Sequence, residues 1–283
     1  MKIGLVVEGG GMKGAYSAAI LDAFLEEGIH FDCCIGVSAG AANVASFVAG
    51  QKGRNIRFYT EHIHDPGYFG LKSFIKTGNL FGLEYIYGDL TNSDGKDPID
   101  YKAIMESSMD HYAVATDAIR AKPVYFGKKD LVKDDYKVFM ATSAIPAACK
   151  PVNIGNRLYY DGGIASSIPI QKALDEACDK VVVILSMPID FVKTPEGHRH
   201  LYKKMCRKYP KIIEALDHRH ITYMEEKNKV LQLEKENKVF IFAPSQKLNL
   251  GTFSMDEEKE QDLYDLGMQD FYQKKEELLK FIQ

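Results

Sequence analysis

Short apolar runs rich in β-branched residues alternate with amphipathic stretches through the N-terminal half of the chain. Residues 3–7 (IGLVV) predict a buried parallel strand, because a continuous apolar run bounded by polar residues suits burial on both faces. Residues 13–27 set Tyr16, Ile20, Ala23 and Phe24 on one helical face, with Gly28 as a stop. Residues 31–35 form the next apolar run, and 39–49 a helix of small apolar residues ending at Gly50. A helix apolar all round is usually buried. The first 50 residues thus predict a β-α-β-α unit with both strand-to-helix turns at the same sheet edge.

Further on the pattern weakens and then returns. Residues 54–64 predict a helix, whereas 65–97 carry Gly, Asp and aromatics with little periodicity. That stretch reads as an irregular excursion and a candidate lid or substrate loop. Residues 112–116 and 123–126 predict an antiparallel strand pair, 134–140 a short helix, and 152–153 with 158–160 two strands around a turn at Gly155-Asn156. Asp161-Gly162-Gly163 follows at a strand end, and 181–185 is another core strand. From Thr194 the spacing is mainly helical, broken by a strand at 239–242. The mixed-charge run 225–238 reads as an exposed helix, and Leu263, Leu266, Phe271, Leu278 and Ile282 as the core face of the last helix. There is no repeat or low-complexity linker, so a division into a domain at 1–190 and a helical extension at 191–283 has a soft boundary.

Composition narrows the classes. A length of 283 residues suits one large α/β domain with an appendage, and a net charge of −3 argues against a general nucleic-acid binder. The 5 cysteines form no C-x-x-C pair; their usage predicts a reduced, cytoplasmic setting and argues against zinc. Cys33 and Cys34 are expected to be buried in a strand. Glu8 cuts the first apolar run too short for an export signal, and no stretch is long enough to span a bilayer, so a soluble or peripheral protein is expected. Residues 193–211 hold Lys203, Lys204, Arg207, Lys208 and Lys211 against Glu196, which suits a solvated helix face or contact with anionic lipid.

The candidate chemistry sits in two glycine-rich turns. Gly36-Val37-Ser38-Ala39-Gly40 places a serine between a strand and a helix, with glycines that permit a sharp turn; such a serine is either a nucleophile or a helix cap. Gly9-Gly10-Gly11-Met12-Lys13-Gly14 offers bare backbone N–H groups for an oxyanion. It also satisfies a dinucleotide fingerprint, with Asp32 about 20 residues on as a ribose-binding acid. The third consecutive glycine and the adjacent serine turn weigh against that reading. His198, His200, His218 and His220 lie in a charged helical stretch, whereas Asp161 follows a strand and is flanked by glycines. Asp161 is therefore the better candidate base, its alternative being an ordinary turn aspartate. An unperturbed carboxylate, with a pKa of ~3.9, is a weak base, so burial would have to raise it or the proton would have to move in concert with attack.

These motifs, in this order, resemble the patatin-like phospholipase family. Ala141-Thr142-Ser143-Ala144-Ile145-Pro146, with Pro151 beyond, is similar to the segment that family carries before its aspartate. The resemblance covers roughly residues 3–186; residues 190–283 resemble the C-terminal extension of a bacterial subgroup. It implies a three-layer α/β/α fold with a mostly parallel sheet, a Ser38–Asp161 dyad without a histidine, and an oxyanion loop at Gly9, Gly10 and Gly11 continuing through Met12, Lys13 and Gly14. It further implies hydrolysis of lipid or acyl esters without metal or cofactor. Lys13 stands where the family often has arginine, and Glu8 where it often has aspartate. Gly163 stands where alanine is also common, an exchange that looks harmless from sequence. A thioesterase or small-ester hydrolase with the same dyad, and a non-catalytic lipid-binding protein, are the competing readings.

Overall fold

The computed structural model describes residues 1–197, 199–247, 250–251 and 253–283, so His198 lies outside the described residues. Its strands are β1 (Ile3–Val7), β2 (Cys33–Val37), β3 (Asp110–Asp117), β4 (Pro123–Gly127), β5 (Val152–Ile154), β6 (Arg157–Asp161), β7 (Lys180–Ile184) and β8 (Val239–Phe242). Its α-helices are α1 (Gly14–Glu26), α2 (Ala39–Val48), α3 (Arg54–Tyr59), α4 (Leu71–Thr77), α5 (Tyr101–Glu106), α6 (Lys137–Thr142), α7 (Ile170–Asp175), α8 (Arg199–Met205), α9 (Pro210–Lys235) and α10 (Glu257–Ile282). The strands join in one sheet of order β5-β6-β3-β2-β1-β7-β8, with β4 also on β3. β3, β2, β1, β7 and β8 run parallel; β4 and β6 run antiparallel to β3, and β5 to β6.

Alternation along the strands divides the core in two. Leu5, Val7, Cys34, Val182 and Ile184 face α1, α2 and α10, while Val6, Cys33, Ile35, Val37, Val181 and Val183 face α7 and α9. The result is three layers, helices on both faces of a mostly parallel sheet. The last two long helices take part in both outer layers. On α10, Leu263, Leu266, Phe271 and Leu278 are buried; a Cβ on Gly267 would lie 2.7 Å from Ala19 Cβ, which shows how closely α10 crosses α1. On α9, Tyr223, Lys227, Val230 and Leu233 are buried, so the mixed-charge run expected to be an exposed helix carries a buried stripe. The C-terminal region also adds β8 to the sheet edge beside β7.

Two boundaries differ from expectation in ways that matter. β2 begins at Cys33 and runs to Val37, directly into Ser38. The excursion at 65–97 is more ordered than its pattern suggested: it holds α4 and a π-helical turn at Tyr85–Asp89.

Candidate active site

The sheet register brings Ser38 and Asp161 together. On β3, residues 112–114 pair with both β2 and β4, and residues 115–116 with both β4 and β6. A strand has only two edges, so β2 and β6 must share the same edge of β3, end to end. Val37 opposes Val114 and Asp161 opposes Ala115. β2 therefore delivers Ser38 to the point where β6, arriving from the other direction, delivers Asp161.

Ser38 is held in a strained turn, with φ 54° and ψ −128°. A non-glycine residue there stores about 1–3 kcal/mol and persists only if its surroundings fix it. Its N–H donates to Thr142 Oγ1 at 2.8 Å, and that hydroxyl donates in turn to the Val114 carbonyl. Glycines make the turn sterically feasible: a Cβ on Gly36 would lie 2.5 Å from Ala41 Cα, and one on Gly40 2.6 Å from the Glu8 carbonyl oxygen. Ala39, with Gly40, then opens α2, whose dipole directs its positive end at the serine.

Asp161 is pinned through its backbone and its carboxylate. Its N–H donates to the Ala144 carbonyl at 2.9 Å, its carbonyl accepts from Thr116 Oγ1 at 2.8 Å, and its Oδ1 accepts from Gly163 N–H at 2.8 Å. Burial pushes the carboxyl up; the Arg219 charge, the Ser38 hydroxyl and Gly163 N–H pull against that rise. Ser38 and Asp161 are only 7% and 5% exposed, so their interaction is shielded from water. Gly162 is obligatory for space, because a Cβ would collide with the Val114 carbonyl.

The glycine loop closes over the serine. A Cβ on Gly9 would lie 3.0 Å from Ser38 Cβ and 2.8 Å from the Val37 carbonyl oxygen. Gly11 takes a left-handed φ of 58°, and Gly11–Lys13 forms a single 3-10 turn leading into Gly14. Among the described residues, none of the N–H groups of Gly9, Gly10 and Gly11 donates to a protein acceptor. Glu8 anchors the loop by accepting from Ser186 N–H at 2.8 Å, while burial raises its carboxyl. Burial lowers the Lys13 ammonium, and the Glu8 charge opposes that shift.

From Ser38 a largely apolar pocket runs between α2 and the excursion, bordered by Ala42, Ala45, Phe58, Leu83, Ile86 and Phe139. Arg54 also borders it. That buried guanidinium donates to the Asp97 carbonyl at 2.7 Å, to Thr91 Oγ1 at 3.1 Å and to Ser46 Oγ at 3.0 Å. Burial alone would raise the Asp97 carboxyl, yet hydrogen bonds from His62 and Arg57 and two guanidinium charges hold it well below the carboxylate range.

The dinucleotide reading is not supported by the geometry. Asp32 precedes β2 and accepts from Ile3 N–H at 2.6 Å, at the opposite edge of the parallel strands from the glycine loop. Among the described residues, no group of three His, Cys, Asp or Glu side chains converges as a metal site would require.

The family model for patatin-like phospholipase matches residues 5–174. The chain belongs to the patatin-like phospholipase family. Residues 209–283 of this patatin-like chain match a second model, described as a domain of unknown function (DUF6363). The uncharacterized protein YjjU of Escherichia coli (strain K12) is 30% identical over 203 residues, 71% of this chain and 56% of YjjU. The chain thus spans little more than half the length of that relative. VipD from Legionella pneumophila shares 15% identity at a TM-score of 0.49, covering 96% of this chain and 66% of VipD.

Within this patatin-like site, sequence reasoning missed how the site is fastened. The stretch Ala141–Pro146 was legible only by resemblance; in the structure Thr142 holds Ser38 and Ala144 holds Asp161. Arg219 and Glu226, both on α9, escaped notice altogether, although each bonds to the loop that follows Asp161.

Proposed function

We propose that this chain is a serine acyl hydrolase of the phospholipase A or lysophospholipase type, cleaving carboxylic esters of lipids through a Ser38–Asp161 dyad. The observation that carries the reading is the meeting of a strained, buried serine with a buried carboxylate, beside unengaged N–H groups and the mouth of an apolar pocket. Asp161 takes the Ser38 proton as Oγ attacks the ester carbonyl. The N–H groups of Gly9, Gly10 and Gly11 receive the oxyanion, worth about 3 kcal/mol per donor in transition-state stabilisation. The tetrahedral intermediate collapses, the alcohol leaves with a proton returned through Asp161, and an acyl-serine remains. Water, activated by the same carboxylate, releases the acid and restores Ser38. The scheme needs neither metal nor cofactor.

The pocket accounts for the acyl chain. Access to a lipid surface is assigned to α4, on which Leu71, Phe74 and Ile75 are 71%, 44% and 76% exposed, with Lys72 and Lys76 beside them. Three large apolar side chains among the 7 residues of one helix suit shallow insertion between headgroups, and the lysines suit anionic lipid. The basic stretch at 193–211 adds exposed Lys203, Lys204, Arg207, Lys208 and Lys211.

Ser38→Ala and Asp161→Asn, assayed beside wild type by lipid-product mass spectrometry and fluorophosphonate labelling, test the reading. Hydrolysis should fall by about 10³-fold or more in each, and labelling should vanish in Ser38→Ala. Labelling retained at another serine, with hydrolysis intact, refutes it.

A further inference from the structure

The C-terminal module is described only as a domain of unknown function, yet one of its helices runs beneath the dyad. Along α9, residues 219, 223, 226, 230 and 233 recur at alternating steps of four and three, so they share one face. Val230 and Leu233 pack with Val239 and Ile241 of β8 in the core on that side of the sheet. Nearer the site the same stripe turns polar. Glu226 accepts from Ser166 Oγ, from Ser167 N–H at 2.9 Å and from Ile168 N–H at 2.8 Å, clamping the chain that leaves Asp161. Tyr223 hydrogen-bonds Glu8 at the root of the glycine loop. Arg219 donates through Nε to the Gly163 carbonyl at 2.5 Å and through Nη1 to Glu196 at 2.9 Å.

Gly163 shows why the guanidinium lies where it does. A methyl at that position would sit 3.1 Å from Asp161 Oδ1 and 3.0 Å from Arg219 Nη2. An alanine methyl there would be in tight contact with both charged groups, which would have to give by a few tenths of an ångström. Because both atoms flank one point, at most about 6 Å separates them, within the range at which an opposite charge keeps a carboxyl ionised.

We propose that Arg219, supplied by the C-terminal module, is a positioning residue of the acyl-transfer site: it fixes the Gly162-Gly163 loop and sets a permanent positive charge against Asp161. The proposal rests on the dyad reading above. Among the described residues, the ionisable groups that face Asp161 are Arg219 from α9, Tyr87 from the π-helical turn, and Cys149. Burial raises Tyr87 and Cys149 to about 12, so both are uncharged at neutral pH. Around Arg219 stand Glu196, itself paired with Lys193 at 3.1 Å, and the neutral phenol of Tyr223, with Glu226 beyond. Arg219 is thus the cation that offsets the burial of Asp161. Without it the carboxyl holds its proton to higher pH, and a protonated carboxyl cannot accept the serine proton.

The test follows kcat/KM for a soluble short-chain nitrophenyl ester and the rate of fluorophosphonate labelling across pH, in the full chain. In Arg219→Gln the acidic limb of both profiles should move up by about one pH unit. In Arg219→Lys the limb should stay in place while the rate falls, since the charge remains and the fork to Gly163 is lost. A limb unmoved in Arg219→Gln, or moved equally in both variants, overturns the proposal. Should Arg219→Gln fail to fold by circular dichroism, Arg219→Met takes its place: it also removes the charge and should shift the limb in the same direction, and an unmoved limb there overturns the proposal as well. A wild type that neither hydrolyses nor labels refutes the dyad reading itself; an active wild type with unaltered variants refutes only the role of Arg219.

Discussion

The main-chain N–H of Ser38 donates to the hydroxyl of Thr142, 104 residues away, at 2.8 Å. The same hydroxyl donates to the Val114 carbonyl on β3, so one side chain ties the serine turn to the strand whose Ala115 pairs with Asp161 of β6. Ser38 is left in a left-handed conformation that its own residue type disfavours, and this tie opposes relaxation. Thr142→Val keeps the shape and removes both bonds. It should cost about 2 kcal/mol in denaturant unfolding, because a buried N–H and a buried carbonyl lose their partner. It should also lower kcat at least tenfold with little change in KM, whereas Thr142→Ser should stay near wild type. A valine variant with undiminished kcat would show that the turn holds itself.

How much of this was legible beforehand follows from where each signal lies. The strand-turn-helix units at β1 and β2 announce themselves, because buried parallel strands are continuous apolar runs and their glycines are demanded by backbone crowding at Gly36, Gly40 and Gly9. Ser38 and Asp161 were legible as chemistry within motifs. Their adjacency was implied only by the family resemblance and not by local pattern, since it depends on β2 and β6 sharing one edge of β3, a matter of tertiary pairing. Arg219 and Glu226 were hidden for another reason: a charged residue in a mixed-charge helix looks solvated. The alternating four-three spacing of 219, 223, 226, 230 and 233 was the available signal, and it marks one face. The excursion was unreadable because its short helices bury aromatics in no regular period; it nonetheless supplies Tyr68, Phe81, Leu83, Ile86 and Tyr87 to the pocket.

That excursion makes the lipid-facing role of α4 separable from chemistry. Phe69 pairs with Phe81 across an isolated bridge, their rings 5.1 Å apart, which joins the start of α4 to the pocket wall. Leu71 and Ile75 themselves are exposed, and neither lines the pocket at Ser38. Replacing both with serine removes apolar surface worth about 1.5–3 kcal/mol per side chain if fully inserted. Hydrolysis of anionic phospholipid vesicles should therefore drop tenfold or more, and vesicle binding in flotation should weaken in parallel. Turnover of a soluble short-chain ester should remain at the wild-type rate. Loss of both activities together would place the two residues in folding rather than at a lipid surface.

Glu260 on α10 sets a pH limit on stability. Its carboxyl is fully buried, and neither oxygen has a hydrogen-bond partner. Burial, with the Asp256 charge adding to it and Lys259 opposing it, raises the group from 4.5 to about 8. Tyr59 and Tyr68 feel its charge from the pocket side. In the native state Glu260 therefore keeps a proton that the unfolded chain releases near pH 4.5. Below that pH both states are protonated and the group is neutral toward stability. As pH rises from 4.5 toward 8 the unfolded state binds fewer protons than the native one, so this contribution falls by up to about 1.4 kcal/mol per pH unit and then levels off. Glu260→Gln abolishes the titration while keeping the size. The variant should match wild type at pH 4 and exceed it increasingly through pH 8, by several degrees in Tm, given about 2 °C per kcal/mol for a chain of this size. Melting curves for the two proteins that stay parallel over that range would mean that Glu260 finds a partner or water when it ionises.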